Sequence, residues 1–268
     1  MSNMNNRERF LALMEYKPVD RIPNHEVGVW AQTKERWEKE GLDVRNYSWN
    51  WFVGDPKWDM DHREYLPINY GLIPAFEEQI LEETERYIIK RHRDGIVTKA
   101  LKTGSVGNNR ACMDQYLSFP VESPNDFKKL KNRLITDVDA RYPEGWESRV
   151  DGWNNRDHVL VMSRNCGTKG FFWRAREWMG TEGLCYAWYD EPKMMHEMME
   201  FIADFTIEVS KPILEKITPD YVFINEDMAM KNGPLLSPAQ YKEFIYPHMK
   251  RLVDFFKSKG IPYVAVDT

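Results

Sequence analysis

From residue 142 onward the chain alternates between two hydrophobic periods. The segment DHVLVMS carries a short, continuous apolar run that predicts a strand over 158–163, buried on both faces. A loop, RNCGTKG, and two helical segments, FFWRAREWMG and EGLCYAWYD, follow it. Asp190 and Pro192 then open a long helix running to about residue 216, on which Met195, Met198, Ile202, Phe205, Val209 and Ile213 form one apolar stripe. The next apolar run, YVFIN, reads as a strand, and Ser237, Pro238 and Gln240 write a capping box for another helix. Tyr241, Phe244, Ile245, His248, Leu252 and Phe256 trace the inner face of that helix, Gly260 and Pro262 close it, and YVAVD is a last strand. Apolar strands joined by helices predict an α/β protein with a parallel sheet and right-handed crossovers, either doubly wound or a (β/α)8 barrel of the TIM type. No dinucleotide fingerprint follows a strand and no phosphate-binding Walker loop is present, so the barrel is preferred.

The first half is less regular. Asn5 or Asn6 caps a short helix, RERFLALMEY, with Phe10, Leu13 and Met14 on one face and Pro18 ending it. DRIPNHEVGVW reads as a short strand, and residues 33–40 as a polar helix. The aromatic stretch 46–71 has neither period and predicts an irregular lid or insertion. Two alternating runs around Asp94-Gly95 predict an accessory β-hairpin near 86–101. Ser123 caps a further helix, with Pro124 in its first turn. Only about six parallel strands can be counted, and the chain stops as one of them emerges; because an open barrel exposes unpaired edges, the expectation is one barrel domain over 1–268, truncated at its C-terminus.

Composition narrows the function classes. With 268 residues, 42% hydrophobic and 13% aromatic, the chain has material for one large core. A net charge of -5 with no basic tract disfavours nucleic acid and anionic membrane as partners. The N-terminus shows neither a signal-peptide apolar region nor a bilayer-spanning run, which implies a cytoplasmic protein. Three cysteines, Cys112, Cys166 and Cys185, without a CxxC pair or a Cys/His cluster, define neither a disulfide framework nor a structural zinc site.

Candidate chemistry falls at strand ends. YVFIN runs directly into Glu226 and Asp227, and Asp267 ends the following strand, where barrel active sites lie. Three carboxylates there could bind a cation, act as an acid/base pair or receive a cationic substrate. Neighbouring residues on a strand point to opposite faces, so Glu226 and Asp227 share a site only if the strand has already broken into its loop; otherwise one of them caps a helix or pairs an arginine. After the earlier strand, Arg164, Asn165 and Cys166 occupy the same end: Asn165 could donate to a substrate oxygen, and Cys166 is a metal ligand, a nucleophile or an ordinary turn residue. His25, beside Glu26, is a weaker binding candidate, and the Met-rich run KMMHEMMEF reads as core.

RERFLALMEYKPVDRIP, PVESPNDFKKLKNRL and, above all, DYVFINEDMAMKNGPLLSPAQYKEFIYPHMKRLVDFFKSKGIPYVAVD resemble the uroporphyrinogen decarboxylase superfamily. The resemblance implies a TIM barrel with a deep cleft at the carboxyl ends of its strands, and either tetrapyrrole decarboxylation or cobalamin-linked methyl transfer. The decarboxylase branch places two arginines after its first strand; this sequence has NHEVGVWAQTKERW, with Gly28 and Gln32 near those positions. The branch's helix tyrosine is replaced too, with Arg174 or Arg176 nearest. A cleft that loses arginines and gains acids suits an octa-acid porphyrinogen poorly. The methyltransferases' thiol-activating zinc site uses a His-x-Cys pair, which is absent here, so zinc is possible but has no such motif, and the metal is left unknown. What the resemblance implies is an enzyme of one-carbon metabolism that moves a methyl group between a small methylated compound and the corrinoid of a cobalamin-binding partner, with no cofactor of its own. Glu226, Asp227 and Asp267 would be catalytic, and Asn165 would orient the substrate. The alternatives are a porphyrinogen decarboxylase and a non-catalytic barrel serving as a binding subunit.

Overall fold

The computed structural model describes residues 4–47, 49, 51–102, 113–162 and 168–267. Helix α1 (Asn6–Met14) starts in a capping box in which the Asn5 side chain accepts from the Glu8 N–H and the Glu8 carboxylate accepts from the Asn5 N–H. Helix α2 (Ala31–Lys39) covers the predicted polar helix. DRIPNHEVGVW forms no strand; the Asp61 carboxylate accepts from the Asn24 N–H at 2.7 Å and holds that segment as a loop. A strand emerges instead from the aromatic stretch, β1 (Arg63–Tyr65), three residues long and too short to show a period.

The Asp94-Gly95 hairpin forms, and it is the centre of something larger. β2 (Gln79–Glu83), β3 (Tyr87–Arg91), β4 (Val97–Leu101) and β5 (Gln115–Ser118) make a four-stranded antiparallel sheet in sequence order. At the turn Gly95 has a φ of +91°, open to glycine without strain, and the Asp94 side chain accepts from the Ile96 N–H at 3.0 Å. Short helices α3 (Pro124–Lys131), α4 (Val138–Arg141) and α5 (Val150–Asn154) lead into the second half.

There β6 (Val159–Val161), β7 (Thr168–Lys169), β8 (Tyr221–Asn225) and β11 (Tyr263–Asp267) join β1 in a parallel sheet, in the order β1-β6-β8-β11 with β7 also beside β8; the two-residue strands β9 (Ala229–Met230) and β10 (Gly233–Pro234) form a separate small ribbon. The sheet is open, compatible with part of the expected barrel but not a full one: β1 and β11 are edges, and no described strand joins them. Every residue of β6 is buried, as are Val222, Ile224 and Asn225 of β8, which is why these runs carry no polar alternation.

Helix α6 (Phe171–Asp190) breaks at Gly180, whose φ of 74° places its Cα against the Phe119 ring; a Cβ there would stand 2.4 Å from that ring. The stripe of Met195, Met198, Ile202, Phe205, Val209 and Ile213 on α7 (Pro192–Leu214) is buried as expected. The Ser237 capping box starts α8 (Pro238–Gln240), which continues through a π turn, Tyr241–Ile245, into α9 (Tyr246–Ser258). α6, α7 and α9 pack with the parallel sheet into one core.

The amino ends of the sheet are closed by buried ion pairs. Asp220, just before β8, is 2% exposed and accepts from Arg156 Nε and Nη2 at 3.1 and 2.9 Å, Arg7 Nε at 2.9 Å and the Leu160 N–H at 2.8 Å. Asp61, ahead of β1, is gripped by Arg9 Nη1 and Arg21 Nη1, both at 2.6 Å. Both carboxylates are desolvated, and both are fully matched by guanidinium donors.

Candidate functional site

β8 ends at Asn225, and the chain then turns sharply: Asp227 has a φ of 48°, a left-handed conformation that aspartate tolerates better than most residues. The strand has therefore broken where both acids sit, yet the two side chains still part company. Glu226 is fully buried, and its Oε1 accepts from the Phe171 N–H at 2.9 Å while its Oε2 accepts from the Phe172 N–H at 2.7 Å and the Trp173 N–H at 3.4 Å. These are the free donors of the first turn of α6, whose own N-cap, Gly170, has no side chain to offer. Glycine is required there, since a Cβ on Gly170 would lie 2.2 Å from the Glu226 carboxyl carbon. Burial raises the Glu226 carboxyl to about 7, against the three N–H donors, which lower it, and with the nearby Asp267 charge adding to the rise.

Asp267 supports this turn from the neighbouring strand. Its carboxylate accepts from Asn225 Nδ2 at 2.5 Å and from the Glu226 N–H at 2.8 Å. Asp227 faces away from both: its side chain is half exposed and takes Arg176 Nη2 at 2.8 Å. The Arg176 guanidinium lies over the Trp173 ring, 4.7 Å from its centroid. Helix α6 thus holds both acids, Glu226 through its backbone and Asp227 through a side chain.

Asp227 and Arg176 line a hollow of about 470 Å³ between the antiparallel sheet and α6. A second hollow of about 590 Å³ shares His92, Asp94 and Glu177 with it and is also lined by Lys169 and Arg174, so the two form one cleft beside the carboxyl end of β8. Within it Lys169 Nζ holds both Glu177 oxygens, at 2.5 and 2.7 Å. His92 Nε2 lies 2.8 Å from Thr98 Oγ1, which in turn donates to Asp114 Oδ2 at 3.2 Å. Arg174 is buried, and Nη1 donates to the Tyr70 carbonyl at 3.1 Å.

The expected site residues separate into three groups. Glu226 and Asp267 form one hydrogen-bonded network, and Asp227 enters the cleft next to it. Arg164, Asn165 and Cys166 lie outside the described residues. His25 lies at the other end of the sheet: its ring is 6.4 Å from that of Phe10, which packs on Tyr221 and Tyr263, the first residues of β8 and β11. Burial, with the Arg63 charge, lowers the His25 imidazole to about 4. His92, Lys169 and Glu177 were not singled out from the sequence; the hairpin turn was legible, but its position above the strand ends is set by tertiary packing. Among the described residues no three His, Cys, Asp or Glu side chains converge as a metal-binding set, so no step is derived through zinc. No helix among them is long and apolar enough to cross a membrane.

The family model for uroporphyrinogen decarboxylase (URO-D) matches residues 175–265, a span that holds Arg176, Glu177, Glu226 and Asp227. No curated protein and no solved structure matches the chain. The match supports a relationship to the uroporphyrinogen decarboxylase superfamily, whose members are enzymes.

Proposed function

We propose that this protein is an enzyme of that superfamily acting in methyl transfer, taking a methyl group from a small methylated compound to the corrinoid of a cobalamin-binding partner protein. The observation that carries the proposal is the pairing of charges in the cleft. Asp227 is bound to Arg176 and Glu177 to Lys169, so those two cations are already matched. Decarboxylation of a porphyrinogen requires a surplus of cations to neutralise its eight carboxylates, and a cleft in which Arg176 and Lys169 are already paired, with Arg174 left over, favours a smaller substrate with few charges.

The corrinoid supplies the methyl-accepting centre when the partner docks. The chain's own residues bind and orient the donor and manage the proton that its heteroatom takes up as the methyl group leaves. Asp227, anchored as a carboxylate by Arg176 and exposed to the cleft, is the proposed acceptor that orients the donor molecule, and His92, which lines the same hollow, is the proposed source of the proton for its heteroatom. Glu226 and Asp267 act at one remove, by fixing the turn that aims Asp227.

The test is to mix purified protein with reduced cobalamin and a panel of methyl ethers, thioethers and methylamines, and to follow methylcobalamin by its absorbance. Protein-dependent methylation with at least one donor class is expected. Release of carbon dioxide from a porphyrinogen, with no methylation from any donor, would replace this reading with the decarboxylase one.

A further inference from the structure

We infer that the larger hollow of the cleft receives a carboxylate carried on an apolar body, with Arg174 as its charge partner. The inference rests on the reading of the cleft as the substrate site and adds the charge of the substrate. Arg174 lines this hollow and is only 3% exposed. Its Nη1 donates to the Tyr70 carbonyl, while Nε and Nη2 have no hydrogen-bond partner among the described residues. Those two nitrogens form one edge of the planar guanidinium, and that edge matches the two oxygens of a carboxylate.

The nearby acids are already engaged. Glu177 is held by Lys169, Glu78 pairs with Lys90 at 2.8 Å, and Asp94 caps its own turn by accepting from the Ile96 N–H. The Arg174 guanidinium stands 5.7 Å from the Phe205 centroid, and the buried Arg141 guanidinium stands 4.9 Å from the same ring, so a second positive charge adds to the first. Arg141 donates from Nε and Nη1 to the carbonyls of Ile135, Asn69 and Gly71, and only its Nη2 has no partner among the described residues. Arg174 donates to one carbonyl, and its whole Nε–Nη2 edge has no partner among the described residues. A guanidinium buried with two unpaired N–H donors is costly, and a carboxylate bound along that edge would satisfy both donors. Ile68, Leu72, Ala75 and Trp178 give the hollow apolar walls, suited to the body of a small organic acid better than to inorganic phosphate.

The experiment is calorimetric titration of the full chain with 3-phenylpropionate, its uncharged amide 3-phenylpropanamide and inorganic phosphate, alongside thermal unfolding. The acid is expected to bind at least ~10-fold more tightly than the amide and than phosphate. Arg174→Met removes that preference and leaves the unfolding midpoint unchanged or raised, because the charge it deletes is buried and the acid that acts on it, Glu177, is already held by Lys169. Arg174→Lys keeps the charge but loses the two-pronged edge, and weakens the acid several-fold while leaving the amide unaltered; this variant decides the matter if the Met variant fails to fold. Equal binding of acid and amide, a preference that survives both substitutions, or phosphate bound as tightly as the acid would overturn the inference. Binding is read without a methyl acceptor, so absence of methyl transfer and absence of carboxylate binding are separate results.

Discussion

The two ends of the parallel sheet treat buried charge in opposite ways. At the amino end, Asp220 and Asp61 are enclosed and every charge has a guanidinium partner. At the carboxyl end, Glu226 is enclosed but answered by backbone N–H groups, Asp227 is half exposed, and Arg174 is buried with two donors unpaired among the described residues. Matched buried ion pairs fix a structure, because removing one partner strands the other in a poor solvent. An unmatched group beside a cleft has no such structural return. The contrast supports the proposal that the amino end serves stability and the carboxyl end chemistry.

Substitutions can break or sharpen that contrast. The largest effect is expected at the amino end: Asp220→Ala strands the buried Arg156 and should destabilise the protein by about 3–5 kcal/mol in urea unfolding. Gly170→Ala drives a methyl group into the Glu226 carboxylate and should cost about 1–3 kcal/mol, read as a lowered thermal midpoint. Glu226→Gln sharpens the comparison through pH. The folded-state value of Glu226, about 7, lies above its unfolded value, so its favourable contribution is complete below about 4.5 and is lost as pH rises through 7. Unfolding free energy should therefore fall by about 1–3 kcal/mol over that window in the parent protein, and that component should be absent in Glu226→Gln. Smallest in stability is Asp227→Asn, expected within about 0.5–1 kcal/mol because the Arg176 pair is partly exposed and asparagine also tolerates a positive φ.

How much of this was legible in the sequence follows from range. The strands YVFIN and YVAVD, the α7 stripe, the division of FFWRAREWMG from EGLCYAWYD, the N-terminal cap at Asn5 or Asn6 and the capping box at Ser237 are local signals, and the structure forms them, with the cap at Asn5. β1 leaves no pattern because three residues carry no period, and DRIPNHEVGVW predicts a strand although Asp61, far along the chain, holds it as a loop. At the site, the location of Glu226 and Asp227 beyond a buried strand was visible. Which acid faces the cleft was not: it depends on the left-handed turn at Asp227 and on a bare Gly170 that leaves the first turn of α6 for Glu226 to cap. The unpaired edge of Arg174 has no sequence signature, because it is defined by which neighbours are already taken.

The most direct measurement of the division between the two ends is the rate of cobalamin methylation by Asp227→Asn, compared with the parent protein at a temperature where unfolding curves show both to be folded. The account predicts a fall of about 100-fold or more, with the thermal midpoint shifted by only a few degrees. A parent-like rate in Asp227→Asn, or a rate that declines only in step with the folded fraction, would contradict it.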